Sequence, residues 1–228
     1  MSAGLAILAA GSSSRAGVDK VTADLGGSAV LLWSLAAAEA SGAFAAIVVV
    51  APRERLPLIA GLVGSRAPVI AGGATRTASS WAGLDALQSH DIIAIHDAAR
   101  PFATPSLFAA VVAVATEYGS AVPGLAVAET VRRAGPAGRA VQEVDRTGLW
   151  TAQTPQAFQR ALLERARVGA GDRSFTDDAA AVIALNEEVR LVPGDRRNFK
   201  LTSTEDVAYA RELADKGLVA IAAHPLPR

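Results

Sequence analysis

Short apolar runs recur along the chain, at Leu5–Ala9, Ala45–Ala51, Val69–Ala71, Ile92–Ile95 and Ala121–Leu125. They are almost unbroken by polar residues, the pattern of strands buried on both faces. Between them lie amphipathic or Ala-rich stretches at Ala29–Ala40, Arg53–Leu62, Thr77–Leu87 and Pro105–Glu117, which read as helices. This alternation predicts an α/β fold: a Rossmann-like, mostly parallel sheet flanked by helices.

The rhythm fails between Ala126 and Thr147. That stretch carries Glu129, Arg132, Arg133, Glu143, Asp145 and Arg146 around Gly135-Pro136-Ala137-Gly138. Two extended pieces about a Gly/Pro turn make a hairpin whose polarity suits one that projects from the sheet; an ordinary mobile surface loop is the plainer alternative, and composition alone does not choose between them. Beyond it, Trp150–Gln153 is expected to re-enter the sheet. Helices are expected at Pro155–Val168 and Thr176–Ala184, and a strand at Val189–Pro193. Ser203 opens a last helix, with Asp206 three residues on and Glu205 inside the first turn, where negative charge is favoured.

Composition narrows the possibilities. The chain has 228 residues, enough for a substantial core, and its 22 basic residues are balanced by 22 acidic ones. That balance argues against a nucleic-acid partner, which would need a basic surface. The absence of Cys excludes disulfides, thiolate metal sites and thiol catalysis, and three scattered His residues do not suggest zinc. The first apolar run follows no basic residue and breaks at Gly11, unlike a signal peptide, and no run approaches membrane-spanning length. A soluble, cytoplasmic protein without a membrane partner is expected.

In an open parallel sheet, ligands bind beyond the carboxyl ends of the strands. The polar clusters that follow the apolar runs are therefore the candidate chemistry. After the first run come Ala9, Ala10, Gly11, Ser12 and Ser13, then Arg15 and Lys20. Small residues let backbone N–H groups approach phosphate oxygens, and the two cations add fixed positive charge. The spacing of Gly11 and Gly17 fits neither the dinucleotide fingerprint nor the P-loop. Further strand ends offer Gly72-Gly73-Ala74-Thr75-Arg76 with Ser79, then His96-Asp97-Ala98-Ala99-Arg100, then Gly194-Asp195-Arg196-Arg197-Asn198-Phe199-Lys200.

Each cluster has a plainer alternative. Gly72-Gly73 makes a simple turn, Ser79 is a helix hydroxyl, and Asp97 caps a helix or pairs with Arg100. His96 reads as a satisfied core histidine rather than a base. At least one of Arg196 and Arg197 reads as solvated charge. Together, cations, a Gly/Ser loop and one carboxylate suit phosphoryl or nucleotidyl transfer, where a protein mainly positions substrates and neutralises developing charge.

In this order the segments resemble the 2-C-methyl-D-erythritol 4-phosphate cytidylyltransferase family of the non-mevalonate isoprenoid pathway. The matching pieces are Ala9-Ala10-Gly11 with Arg15 and Lys20, Gly72 to Arg76 with Ser79, and His96 to Phe102. Glu129 to Arg132, Val144 to Trp150, Gln153 to Phe158, Thr176 to Ala179 and Asn198 to Thr202 follow. The resemblance implies one nucleotidyltransferase domain over residues 1–228, with an arm at about 126–149 inserted.

The resemblance also implies transfer of a cytidylyl group from CTP to methylerythritol phosphate, with Mg²⁺ or another divalent cation. Arg15, Lys20 and Lys200 would be catalytic. Ala9, Ala10, Gly11, Ser12, Ser13, Gly72, Gly73, Arg76, Ser79 and Ala98 would hold the nucleotide. Asp97, Arg100 and Thr176 would face the polyol phosphate, with Asp97 near the metal. The arm would make a homodimer and send Thr130 and Arg146 into the neighbouring site. Where the family has Pro-Lys-Gln, this chain has Asp19-Lys20-Val21 after a shortened loop. The rival readings are a cytidylyltransferase for another polyol phosphate, such as ribitol 5-phosphate, and a noncatalytic nucleotide-binding module.

Overall fold

Strand β1 (Ala3–Leu8) is buried at every position, and the sheet is assembled around it. It pairs in parallel with β4 (Ala46–Ala51) on one side and with β6 (Ile92–Asp97) on the other. Beyond β4 lies β5 (Val69–Ala71), also parallel. The computed structural model describes residues 1–10, 19–219 and 221–222. A tight hairpin of β2 (Asp24–Leu25) and β3 (Ser28–Ala29) precedes the first helix.

Alternate residues of β1 point to opposite faces. Leu5 and Ile7 join a core with Leu31, Leu35, Ile59 and Phe108, from α1 (Val30–Ala40), α2 (Leu56–Val63) and α4 (Pro105–Tyr118). Ala6 and Leu8 join another with Leu84, Leu163 and Val182, from α3 (Arg76–Ala86), α5 (Arg160–Ala170) and α6 (Asp178–Ile183). Burial on both faces is why these strands are apolar throughout instead of alternating. Helix α3 lies close on the sheet, since a Cβ at Gly83 would stand 2.5 Å from the Cβ of Ala6.

The other half of the sheet is mixed. Strand β7 (Ser120–Ala126) does not pair with β6. Strand β11 (Gln156–Gln159) lies between them, antiparallel to both. Here the expectation of a helix over Pro155–Val168 fails in its first turn, and the helix begins at Arg160. Ala157 and Phe158 are fully buried, and their backbone groups complete the ladders of two neighbours, a tertiary demand that local preference cannot oppose. Strand β10 (Trp150–Ala152) re-enters against β7 as expected, and β12 (Leu191–Pro193) pairs with β7 in parallel. Helix α6 is shorter than the expected Thr176–Ala184 because Asp177 caps it, accepting from the Ala180 N–H at 2.9 Å.

Strands β8 (Val131–Ala134) and β9 (Ala140–Val144) form a separate antiparallel sheet, the projecting hairpin expected from the polar interruption. At its neck the Val127 N–H donates to the Leu149 carbonyl at 3.0 Å. The last helix, α7 (Thr204–Asp215), opens on the expected capping box of Ser203 and Asp206. It packs Val207 and Ala210 with Leu25, Trp33, Phe102 and Leu201. None of the described helices is long and apolar enough to cross a membrane.

One arginine ties the two ends of this framework together. Arg160, at the start of α5, donates from Nε to the His90 carbonyl at 2.8 Å and from Nη2 to the carbonyls of Leu84 and Leu87. It thereby satisfies carbonyls at the C-terminus of α3, where positive charge is favoured. Its side chain is 16% exposed. Arg160→Met should lower the unfolding free energy by about 2–3 kcal/mol, the loss of charge-assisted bonds to carbonyls left buried. Urea transitions with an unchanged m-value would check this.

Candidate active site

The chain leaves β1 first toward β4 and β5 and later returns to its other side as β6. A crevice opens where such a strand order reverses, at the carboxyl ends of β1 and β6. Asp97 is the last residue of β6 and is buried there. Arg76, from the first turn of α3, donates from Nε to Asp97 Oδ1 at 3.0 Å, and Lys200 Nζ donates to Oδ2 at 2.6 Å. The Arg76 Nη2 also stands 2.9 Å from Oδ2 of Asp178, though off the line of a hydrogen bond. Burial alone would raise the Asp97 carboxyl, but the charges of Arg76 and Lys200 outweigh it and hold it well below the usual carboxylate range. Arg76 is shifted upward in turn, because Asp178 and Asp97 together outweigh its own desolvation.

A polar frame surrounds this pair of cations. Arg100 donates from Nη1 to the Asn198 carbonyl at 2.8 Å, and Asn198 Nδ2 donates to the Thr154 carbonyl at 2.8 Å. Gln153 Nε2 reaches the Asp195 carbonyl at 2.8 Å, holding the segment before Lys200. Gln156 accepts from the Ala179 N–H at 3.0 Å and donates to Asp177 at 2.8 Å, which fixes the start of α6 next to Thr176. The result is a cavity of about 210 Å³ walled by Arg76, Asp97, Arg100, Thr176, Asp177 and Lys200, among others. Arg100 Nε, in this wall, and Asn198 Oδ1, in the frame that holds it, are buried without a hydrogen-bond partner. Arrangements of this kind, cationic and hydrogen-bonding, suit a phosphorylated ligand.

A family model described as 2-C-methyl-D-erythritol 4-phosphate cytidylyltransferase matches residues 4–215. The chain belongs to that family. It is 36% identical over 217 residues to the 2-C-methyl-D-erythritol 4-phosphate cytidylyltransferase of Geobacillus kaustophilus, covering 91% of this chain and 94% of that one. It is 46% identical over 220 residues to the bifunctional enzyme IspD/IspF of an Anaeromyxobacter strain, covering 92% of this chain. The match spans 57% of that longer protein, about half its length. Among solved structures, the 2-C-methyl-D-erythritol 4-phosphate cytidylyltransferase of Thermus thermophilus superposes with a TM-score of 0.77 at 34% identity, covering 94% of this chain and all of that one.

Within this cytidylyltransferase family fold, the residues singled out from the sequence fall into distinct groups. Asp97, Arg100, Thr176 and Lys200 come together in the cavity, with Arg76. Arg76, expected on the nucleotide, has its guanidinium between Asp97 and Asp178. Ala98 is buried one residue further on, its N–H on the Leu8 carbonyl at 3.0 Å, and Ala9 is tied to the Val50 carbonyl at 2.8 Å. Ala10, partly buried, ends the described part of that first segment.

At the end of β5, a Cβ on Gly72 would stand 2.6 Å from Ser79 Oγ, and one on Gly73 would stand 2.4 Å from the Ala78 Cβ. Only glycines allow this turn to lie so close on α3. Ser79 donates to the Thr75 carbonyl at 2.9 Å, as a helix hydroxyl does. The Lys20 ammonium rests on the Thr202 carbonyl, two residues past Lys200. Thr130 and Arg146 are exposed on the arm and wall no part of this chain's cavity. Gly11, Ser12, Ser13 and Arg15 lie outside the described residues. Asp195 pairs with Arg197, which is solvent-exposed, in keeping with the reading of solvated charge.

Sequence reasoning assigned no role to Thr154, Gln153, Gln156, Asp178 or Asn198, all of which are buried. Their signal was polar side chains gathered beside apolar runs, with no hint of their partners.

His96 sits behind Asp97 as the buried core histidine expected. A carbonyl can only accept, so Nε2–H donates to the Arg100 carbonyl at 3.2 Å and Nδ1 accepts from Thr154 Oγ1 at 3.1 Å. Thr154 in turn accepts from the Asp97 N–H at 3.0 Å. Burial dominates and pushes the imidazole down to about 4 from its ordinary 6.5, with Asp97 opposing and Arg100 assisting. The folded ring stays neutral while the unfolded one takes up a proton below 6.5. Stability should therefore fall by about 3 kcal/mol as pH drops from 6.5 to 4. Urea unfolding across that range should show this slope in the wild type and a flatter one in His96→Gln. The Asp97 contribution is lost only at still lower pH.

Proposed function

We propose that this chain transfers the cytidylyl group of CTP to 2-C-methyl-D-erythritol 4-phosphate, releasing pyrophosphate. The observation that carries this reading is Asp97, fixed between Arg76 and Lys200 at the switch point of the sheet, with Arg100 and Thr176 in the same cavity. An oxygen of the acceptor phosphate attacks the α-phosphorus of CTP in line. The new O–P bond forms as the bond to the bridging oxygen breaks, and pyrophosphate leaves with the electron pair. Charge grows on the oxygens of that phosphorus, and fixed cations stabilise it without reorganising. Arg15 and Lys20 supply them from the first loop, while Lys200, Arg100 and Thr176 bind the acceptor. Gly72, Gly73, Ser79 and Ala98 border the nucleoside. Arg76, held by two carboxylates, orients Asp97.

Among the described residues no cluster of three or more Asp, Glu or His side chains converges to hold a metal. Mg²⁺ draws most of its ligands from water and substrate phosphates. This donor set therefore fits a divalent ion carried in with the triphosphate, with Asp97 as the protein's contribution. When bound, it supplies further neutralisation of the phosphate oxygens.

We also infer a homodimer through the arm. A ribbon of two strands is marginally stable alone, and Val141, Leu149 and Trp150 are exposed on the arm or at its base. A second copy covering them would bring Thr130 and Arg146 to its neighbour's cavity. Chain and arm then act as one catalytic unit.

Pyrophosphate release should occur with CTP, Mg²⁺ and methylerythritol phosphate and not with ribitol 5-phosphate. Release with ribitol phosphate alone would reassign the acceptor. Silence with both, while CTP still binds, would leave a nucleotide-binding module. For the arm, Arg146→Ala and Arg15→Ala proteins should each be impaired, and mixing them should restore about a quarter of wild-type activity in heterodimers with one intact site. No rescue after confirmed subunit exchange would exclude an Arg146 acting across the dimer.

A further inference from the structure

The family has Pro-Lys-Gln where this chain has Asp19-Lys20-Val21, so an acidic side chain stands directly beside a lysine of the triphosphate loop. Left free, that carboxylate would draw the Lys20 ammonium to itself and repel the phosphates. The geometry prevents both. Asp19 is gripped end-on by the Arg55 guanidinium, with Nη1 on Oδ1 at 3.0 Å and Nη2 on Oδ2. Thr22 Oγ1 donates to Oδ2 as well, and the Val21 N–H to Oδ1 at 3.3 Å. Lys20 points elsewhere, to the Thr202 carbonyl beside the Lys200 segment. Burial would raise the Asp19 carboxyl, but the bonds from Thr22 and Arg55 and the charge of Arg55 hold it below its ordinary value, so it stays ionised.

Arg55 comes from the turn that follows β4. The same strand receives the Ala9 N–H on its Val50 carbonyl, so both ends of the segment between Ala10 and Asp19 are tied to β4 and its exit. We propose that Arg55 is a positioning residue for the nucleotide: by chelating Asp19 it cancels the negative charge this chain carries beside the triphosphate and leaves the Lys20 charge for the phosphates. This proposal rests on the cytidylyltransferase reading for its ligand, yet it makes its own demand on the protein. The residue that replaces the family's proline is tolerated because a partner from another loop neutralises it.

The test reads CTP binding by calorimetry in the presence of Mg²⁺, separately from turnover. Arg55→Ala should weaken CTP about tenfold, the scale of one newly exposed like-charge interaction at a partly buried site. Adding Asp19→Asn to that variant should restore binding to within about twofold of wild type, because no charge then remains to be cancelled. Arg55→Lys should be affected less than Arg55→Ala. A merely structural strut predicts the opposite for the double variant, since the amide cannot recover the lost tie to residue 55. Unchanged binding in Arg55→Ala, or a loss that Asp19→Asn does not repair, would overturn the proposal. Wild-type protein that binds CTP but releases no pyrophosphate would overturn the reaction assigned above and leave this comparison fully readable.

Discussion

A carboxylate buried at the end of a central strand has to be neutralised, and much of this site follows from that requirement. Isolated, the Asp97 charge would be too costly to keep ionised in the interior. Arg76 and Lys200 reach it from either side in sequence, one from the helix after β5 and one from the loop before α7. The interaction therefore does more than stabilise a charge. It brings together the segments around residues 76, 97 and 200 and fixes them around one cavity, with an Arg and a Lys in its wall. Removing either cation leaves the buried carboxylate with only one of its two partners, a costly change for a charge held in the interior.

The polar residues behind this arrangement act by satisfying one another. Thr154 serves Asp97 on one side and His96 on the other, and His96 closes the chain on the carbonyl of Arg100. Each group has a defined donor or acceptor role, so the backbone around Asp97 and Arg100 is held without any charge being spent. Arg100 Nε and two nitrogens of Arg76 are left without a hydrogen-bond partner, and both residues wall the cavity.

Much of this was legible in the sequence where one local preference and one tertiary environment agree. The parallel strands read as apolar runs because both faces are covered, and β5 was bounded to the residue. Helices α3 and α4 start where Thr75 and Thr104 cap them. Asp97, Arg100 and Lys200 were singled out by their place after strands, Thr176 by family resemblance alone, and the fold does bring all four to one cavity. What escaped was set by partners far away in the chain. Gln156–Gln159 carries no pattern that marks it as a strand, and only the open edges of β6 and β7 make it one. Asp178 drew no role from the sequence, and nothing near it announces Arg76. Arg76 itself stands in the first turn of α3, and its role depends on a carboxylate about twenty residues away and another about a hundred away.

The placement of β11 between β6 and β7 also dictates an order of assembly. Strand β7 is synthesised before the strand that joins it to the rest of the sheet, with the whole arm made in between. Strand β10, which also pairs with β7, emerges first, but nothing links β7 to the first half of the sheet until residues 156–159 emerge, and non-local pairings of this sort are slow to form. The first half of the sheet can close as it is made. The second half must wait, so the nascent protein is most exposed to mispairing during the interval in which its arm is being written.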